Sequence, residues 1–268
     1  METLMKLKPS ITLEGYPIQT EISDFVYKDL RSIDSKYIVL DEEKNKITIK
    51  RSFFKKNKQV QNVTRFFVEL SDQKVKIETP AVKCENVSNS YFNDAMIETN
   101  FKNKTIAIIL ESPHIDEYEK NKEKLVPIGV AQGQTGRKIE KSIEELILTL
   151  HDFGVIEEHH QYRIVLMNAV NFQTSLHFIH EKTMNNYYRE LRDKIWLKMW
   201  TEIPQIKNDF TKQLNELKTD SIIINSCPKS LKPLINVELL PFANSFLLFE
   251  SNHPSSTEIW TKSLFKLN

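Results

Sequence analysis

Cysteine is almost absent from this 268-residue chain, and glycine is scarce. Two thiols far apart in sequence, Cys84 and Cys227, cannot supply a four-cysteine zinc or iron–sulfur site. In a reducing compartment they stay free. No apolar run approaches the ~20 residues that span a bilayer, and the first residues carry no signal-peptide core. A cytoplasmic protein with no membrane partner is therefore expected. The seven histidines include no HExxH or comparable spacing. His159-His160, beside Glu157-Glu158, reads as a solvated helix end, and neither metal nor cofactor is expected. An excess of charge is missing as well. With 37 basic and 36 acidic residues the net charge is +1, so the whole chain is no basic nucleic-acid binder. Any phosphate contact must rest on a local patch.

One such patch lies at residues 51–68. Arg51, Lys55, Lys56, Lys58 and Arg65 alternate there with Phe53, Phe54, Phe66 and Phe67, and no acid interrupts them. Basic side chains among aromatics can track a phosphate backbone and stack bases. A strand pair with a solvated basic loop has the same composition, and both readings stand.

A fraction of 40% hydrophobic and 27% charged residues is that of a globular chain. Residues 1–95 read as an α+β extension, with strands at 36–40, 46–50 and 75–79 and a short helix over 22–33. From about residue 100 strands and helices alternate, as in a parallel sheet with right-handed crossovers. The strands fall at 105–110, 163–167, 221–224 and 246–250. One helix covers 136–152, with Ile139, Ile143, Leu146, Ile147 and Leu150 on one face. A helical region over 181–218 breaks before Pro204.

Three of these apolar runs end in residues that can do chemistry. Ile106–Leu110 meets Glu111-Ser112-Pro113-His114. Ile164–Met167 meets Asn168. Phe246–Phe249 is followed by Asn252-His253-Pro254-Ser255. Open α/β sheets bind ligands just outside the carboxyl ends of their strands, so one cleft holding a carboxylate, an amide and an imidazole is expected. Asp116 and Glu117, further along the first loop, are lesser candidates. Three of the five glycines lie in Gly129-Val-Ala-Gln-Gly133-Gln-Thr-Gly136, immediately before a helix. They admit close approach of backbone to a ligand. The segment is neither a P-loop nor a dinucleotide fingerprint.

The segments Ile108-Ile-Leu-Glu-Ser-Pro-His114, Pro127–Gly136, Ile164-Val-Leu-Met-Asn-Ala-Val170 and Asn252-His-Pro-Ser-Ser256, in that order, resemble the uracil-DNA glycosylase superfamily over residues 100–260. The resemblance implies a three-layer α/β/α sandwich around a mainly parallel sheet of about four strands, spanning residues 96–268 behind the extension. It implies a monomeric enzyme that flips a base from single- or double-stranded DNA and hydrolyses its glycosidic bond, leaving an abasic site. Asn168 would hydrogen-bond the flipped base. His253 would stabilise negative charge on the departing base, and Glu111 would organise water. Ser112 stands where many members carry aspartate and is grouped with Glu111 and His253 as catalytic. Pro113, His114, Gly133, Gly136 and Asn252 would shape the base pocket. Lys55, Lys56, Lys58, Ser255 and Ser256 would touch DNA. His114 replaces the tyrosine that excludes 5-substituted pyrimidines in the commonest branch. Uracil or a bulky modified pyrimidine is therefore the expected base, and defence against phage DNA with modified bases is one role. The leucine wedge of that branch falls at Thr257, with Ile259 or Trp260 as substitutes. The iron–sulfur branch lacks its cysteines here. Two other readings remain: a non-catalytic DNA-binding or nucleotide-sensing module, and a hydrolase of free nucleosides or nucleotides.

Overall fold

The computed structural model describes residues 7–79, 104–119, 125–256 and 259–268. Cys84, Thr257 and the boundary expected at residue 95 lie outside them. Alternation builds the first sheet. In β4 (Lys46–Ile49), Ile47 and Ile49 are buried while Lys46 and Thr48 are half-buried, the period-two pattern of a strand covered on one face. β4 runs parallel to β1 (Ser10–Leu13) and antiparallel to β3 (Ile38–Asp41), and β2 (Gln19–Glu21) completes the order β2-β1-β4-β3. Helix α1 (Asp24–Arg31) begins at Ser23, whose Oγ accepts from the Val26 N–H at 3.2 Å.

Continuous apolar runs build the second sheet. β7 (Lys104–Leu110), β8 (Gln161–Asn168), β9 (Ile222–Asn225) and β10 (Leu247–Glu250) are mutually parallel. Ile106 to Ile109 and Ile222 to Ile224 are fully buried, as strands covered on both faces require. The chain is α/β, but the expected sheet of about four strands is only the centre of this one. Its order is β11-β10-β9-β7-β8-β5-β6, with β5 (Val63–Ser71), β6 (Lys74–Glu78) and β11 (Phe265–Lys266) antiparallel at the edges. β5 buries Val63, Phe66, Val68 and Leu70 and so presents an apolar face in register with β8. The sheet thus takes strands from both sides of residue 95.

Three further expectations change. The helix expected over 136–152 is two, α2 (Gln134–Lys141) and α3 (Ile143–Asp152), because Ser142 leaves helical geometry at φ −111° and ψ 7°. The buried stripe of Ile139 and Ile143 continues across that break. Phe53, Phe54 and Phe66 are core side chains, packed edge-to-face with Tyr37 in the case of Phe53, and offer bases no stacking surface; Phe67 is half-buried. Trp260 is 2% exposed and cannot wedge into a duplex, whereas Ile259 is 50% exposed. A four-residue helix, α4 (His177–His180), had no counterpart in the sequence pattern. The long helical region is α5 (Asn186–Glu202) and α6 (Pro204–Asn215), broken before Pro204 as expected, and α7 (Lys232–Leu239) links β9 to β10.

The parallel strands, numbered in chain order, lie in space as 2-1-3-4. The chain leaves β7 to one side, returns across it and continues outward. Its direction reverses between β7 and β9, and the crevice outside their carboxyl ends is the ligand position of such sheets. No helix among the described residues is long and apolar enough to cross a membrane.

Candidate functional site

A cleft of about 780 Å³ opens at that reversal point. The end of β7 supplies Glu111, Ser112, Pro113 and His114, the loop before α2 supplies Gly133, and the segment after β10 supplies His253 and Ser255. Residues more than a hundred positions apart are thus brought together, but of the three groups the strand-end pattern led one to expect in one cleft only the carboxylate and the imidazole line it.

Glu111 and His253 touch. The imidazole Nε2 lies 3.1 Å from Glu111 Oε2, and Arg192 of α5 reaches Oε1 at 3.2 Å. The Ser255 N–H donates to His253 Nδ1 at 3.1 Å, which places the ring proton on Nε2, facing the carboxylate. Trp196, on α5, donates its indole N–H to the Glu111 carbonyl at 2.7 Å and ties that helix beneath the strand end. Burial alone would raise the Glu111 carboxyl. The charge that His253 carries in its protonated form and its hydrogen bond, then the charge of Arg192, outweigh it and hold the group at about 2. A carboxylate so depressed is a poor proton acceptor and a durable negative charge.

That pairing carries stability with a defined pH window. A depressed carboxyl stabilises the fold above its unfolded value near 4.5 and loses that contribution as pH falls toward 2. A shift of this size is worth on the order of 3 kcal/mol. Urea unfolding of the wild type and Glu111→Gln should differ by that amount at pH 6 and converge near pH 2. A difference independent of pH would refute the pairing.

Glu117 is the residue whose weight the sequence pattern understates. It lines the cleft, is 4% exposed, and accepts from Asn168 Nδ2 at 3.0 Å. Burial dominates its ionisation and raises it to about 8, with the Glu111 charge adding to the rise. Hydrogen bonds from Asn168 and from the Ala131 and His114 backbones work against it. Two carboxyls in one cleft are therefore pushed apart, one ionised and one protonated at neutral pH.

Asn168 itself is fully buried and does not line the cleft; it stands behind Glu117. Ser112 Oγ is tied to Thr174 Oγ1 at 2.8 Å. The exposed ring of His114 is held by His177 (Nε2 to Nδ1, 3.3 Å), and His177 stacks on His180, which burial lowers to about 4. Gly133 lets Asp116 pack close: an added Cβ would come 2.1 Å from Asp116 Oδ2 and force that side chain to move. Gly136 is buried beneath the loop rather than open to the cleft.

The remaining candidates lie elsewhere. Lys55, Lys56, Lys58 and Asn252 do not line the cleft, and the Lys58 carbonyl accepts from the Tyr118 hydroxyl at 3.2 Å. Ser256 lies just outside it. The carbonyls of Ser255 and Ser256 are clamped by Lys138 Nζ at 3.0 and 2.8 Å. The cations that do line the cleft are Arg137, Lys138 and Lys141 from α2 and Arg189 and Arg192 from α5. Among the described residues no carboxylate pairs with Arg137, Lys141 or Arg189. The one available signal was Arg137 and Lys141 at i and i+4, on one face of the helix that follows the glycine loop. His159 and His160 lie in the turn before β8, bonded to Ser71 and Glu157. No group of three or more histidine, cysteine or acidic residues among the described residues could hold a metal. Comparison of the chain with protein-family models, curated proteins and solved structures finds no match.

Proposed function

We propose that this chain is a divergent DNA glycosylase on the uracil-DNA glycosylase scaffold, excising uracil or a modified pyrimidine by hydrolysis. The observation that carries the reading is the Glu111–His253 contact, made in one cleft by the two motifs on which the resemblance rests. With the right-handed crossovers that are the rule for parallel strands, a 2-1-3-4 order would put α2 and α3 on one face and α5 to α7 on the other, in keeping with the three-layer sandwich the resemblance implies.

The chemistry follows from the two charges that separate. Cleavage of the glycosidic bond leaves positive charge on the sugar and negative charge on the base. The Glu111 carboxylate, ionised at any physiological pH, stabilises the sugar cation, and its remaining lone pairs hold a water. It is too weak a base to deprotonate that water beforehand, which suits a path in which the cation forms first. His253 holds its Nε2 proton on Glu111 within the cleft, and that proton passes from the carboxylate to the departing base as negative charge develops there. The target nucleotide must first leave the stack, at a cost of a few kcal/mol. His114 lines the cleft in place of the tyrosine that excludes 5-substituents in the commonest branch, in keeping with a role against phage DNA carrying modified pyrimidines.

The test is a panel of oligonucleotides with single uracil, modified-pyrimidine or unmodified bases, scored for strand breaks after alkali, with Asn168→Ala and His253→Ala beside the wild type. Binding without alkali-labile sites would point to the non-catalytic module instead.

The cleft cations give a separate prediction. Reversing Arg137, Lys141 and Arg189 to glutamate should flatten the salt dependence of DNA affinity by about 0.7–0.9 in log–log slope for each phosphate no longer neutralised. Reversal of Lys55, Lys56 and Lys58, outside the cleft, should change it less. Equal slopes for wild type and the cleft variant in filter binding would remove DNA from this surface.

A further inference from the structure

Base reading is ordinarily assigned to the strand-end amide, yet here the Asn168 amide lies behind the cleft wall, its Nδ2 engaged by Glu117 and its Oδ1 buried without a partner. It is fully buried, it does not line the cleft, and its Nδ2 is given to Glu117. Whatever base edge enters the cleft meets the Glu117 carboxyl in front of Asn168. Resting on the glycosylase reading above, we infer that Glu117 is the group that reads the base and protonates it, and that the substrate is a cytosine-type base carrying a 4-amino group.

A protonated carboxyl presents one donor and one acceptor side by side. On a cytosine edge its O–H faces N3 and its carbonyl accepts from the 4-amino group. Uracil offers a complementary edge too, but needs the proton less. Its N1 anion spreads charge over two carbonyls and leaves with hydrogen-bond help alone. The cytosine anion has one carbonyl, is far more basic, and departs readily only once N3 is protonated. As the C1′–N1 bond breaks, its electron pair passes into the ring and N3 takes the Glu117 proton, so the base leaves neutral. Water oxygen bonds to C1′, and the proton it loses restores the Glu117 acid. The site keeps that proton in place at neutral pH. Burial raises the carboxyl to about 8, and the nearby Glu111 charge opposes its ionisation. The other titratable and charged groups around it are His114 and Asp116 on its own loop, Tyr118 beside it, His253 after β10, Arg137, Lys138 and Lys141 of α2, and Arg189 and Arg192 of α5. Asn168 fixes the carboxyl's orientation and is a positioning residue.

The test is single-turnover base release from oligonucleotides carrying one 5-hydroxymethylcytosine, one cytosine or one uracil, across pH 6 to 9.5. The wild type should release a 4-amino base faster than uracil, with the rate falling as pH rises through about 8. Glu117→Gln keeps a donor and an acceptor but has no proton to give. It should bind the same DNA within about twofold, release the base about 100-fold more slowly, and lose the alkaline limb. The wild-type base preference and pH profile require no variant, so a Glu117→Gln protein that fails to fold leaves the test intact. Preferential release of uracil, at a rate indifferent to Glu117→Gln, overturns the inference and leaves the glycosylase reading standing. No release of any base by the wild type overturns both.

Discussion

His253→Ala lowers single-turnover base release by about 100- to 1,000-fold, the loss seen when one preorganised donor is removed from a developing anion. The side chain is only partly buried, so its removal leaves no large cavity. Glu111 keeps Arg192 at 3.2 Å and stays ionised. The variant therefore separates chemistry from folding better than Glu111→Gln, which strands a half-buried arginine and costs about 3–5 kcal/mol in its own right. DNA affinity should remain near wild type in His253→Ala and stability should fall by no more than the roughly 3 kcal/mol of the Glu111 pairing, part of which Arg192 retains, while the amount of alkali-labile strand per folded molecule collapses. A wild-type rate would remove the imidazole from the reaction and, with it, the observation that carries the proposed function.

The parallel centre of the fold was legible because its signal is local. Ile106 to Ile109 and Ile222 to Ile224 form uninterrupted apolar runs too short for helices, and the chemistry-bearing residues follow at once. The antiparallel edges were not legible as part of that sheet. β5 alternates like any one-face-covered strand, and nothing in Val63–Ser71 says which of two sheets it joins. The basic-aromatic segment misled for a related reason. Lysines alternate with phenylalanines there because the lysines are solvated while Phe53 and Phe54 turn into the core, and composition alone cannot show direction. In the site, Glu111 and His253 were readable from their motifs, but their mutual contact was not. Glu117 ranked only as a lesser candidate because its importance lies in burial and in Asn168 behind it, both consequences of tertiary packing. Arg192 had no signal in the sequence: it sits beside the buried Leu191 on α5, one charged residue among several on a long helix. Only the packing of Trp196 against the β7 end turns it toward the cleft.

Gly136→Ala tests whether the glycine loop is built around its close approach to α2. In an unobstructed helix the change would stabilise the fold by about 1 kcal/mol, because alanine is the better helix former. Here an added Cβ would lie 1.7 Å from the Ala131 carbonyl oxygen and 2.8 Å from its carbon, and both atoms are backbone. No side chain can swing aside, so the loop must lift from the helix. Ala131 already sits at φ 57°, with little freedom to yield. A destabilisation of about 3 kcal/mol is expected, at the upper end of overpacking costs. Lifting the loop also withdraws the Ala131 N–H from the Glu117 carboxyl and moves Gly133 off Asp116, so activity should fall further than stability accounts for. Gly154→Ala is the control. It has φ +70° but nothing within 4 Å of the new methyl, and it should cost only about 1 kcal/mol of backbone strain with the activity per folded molecule intact. Chemical denaturation of the two variants side by side decides the matter. A Gly136→Ala protein as stable as the wild type would mean that α2 and the loop do not meet as described, and the cleft they frame would lose one wall.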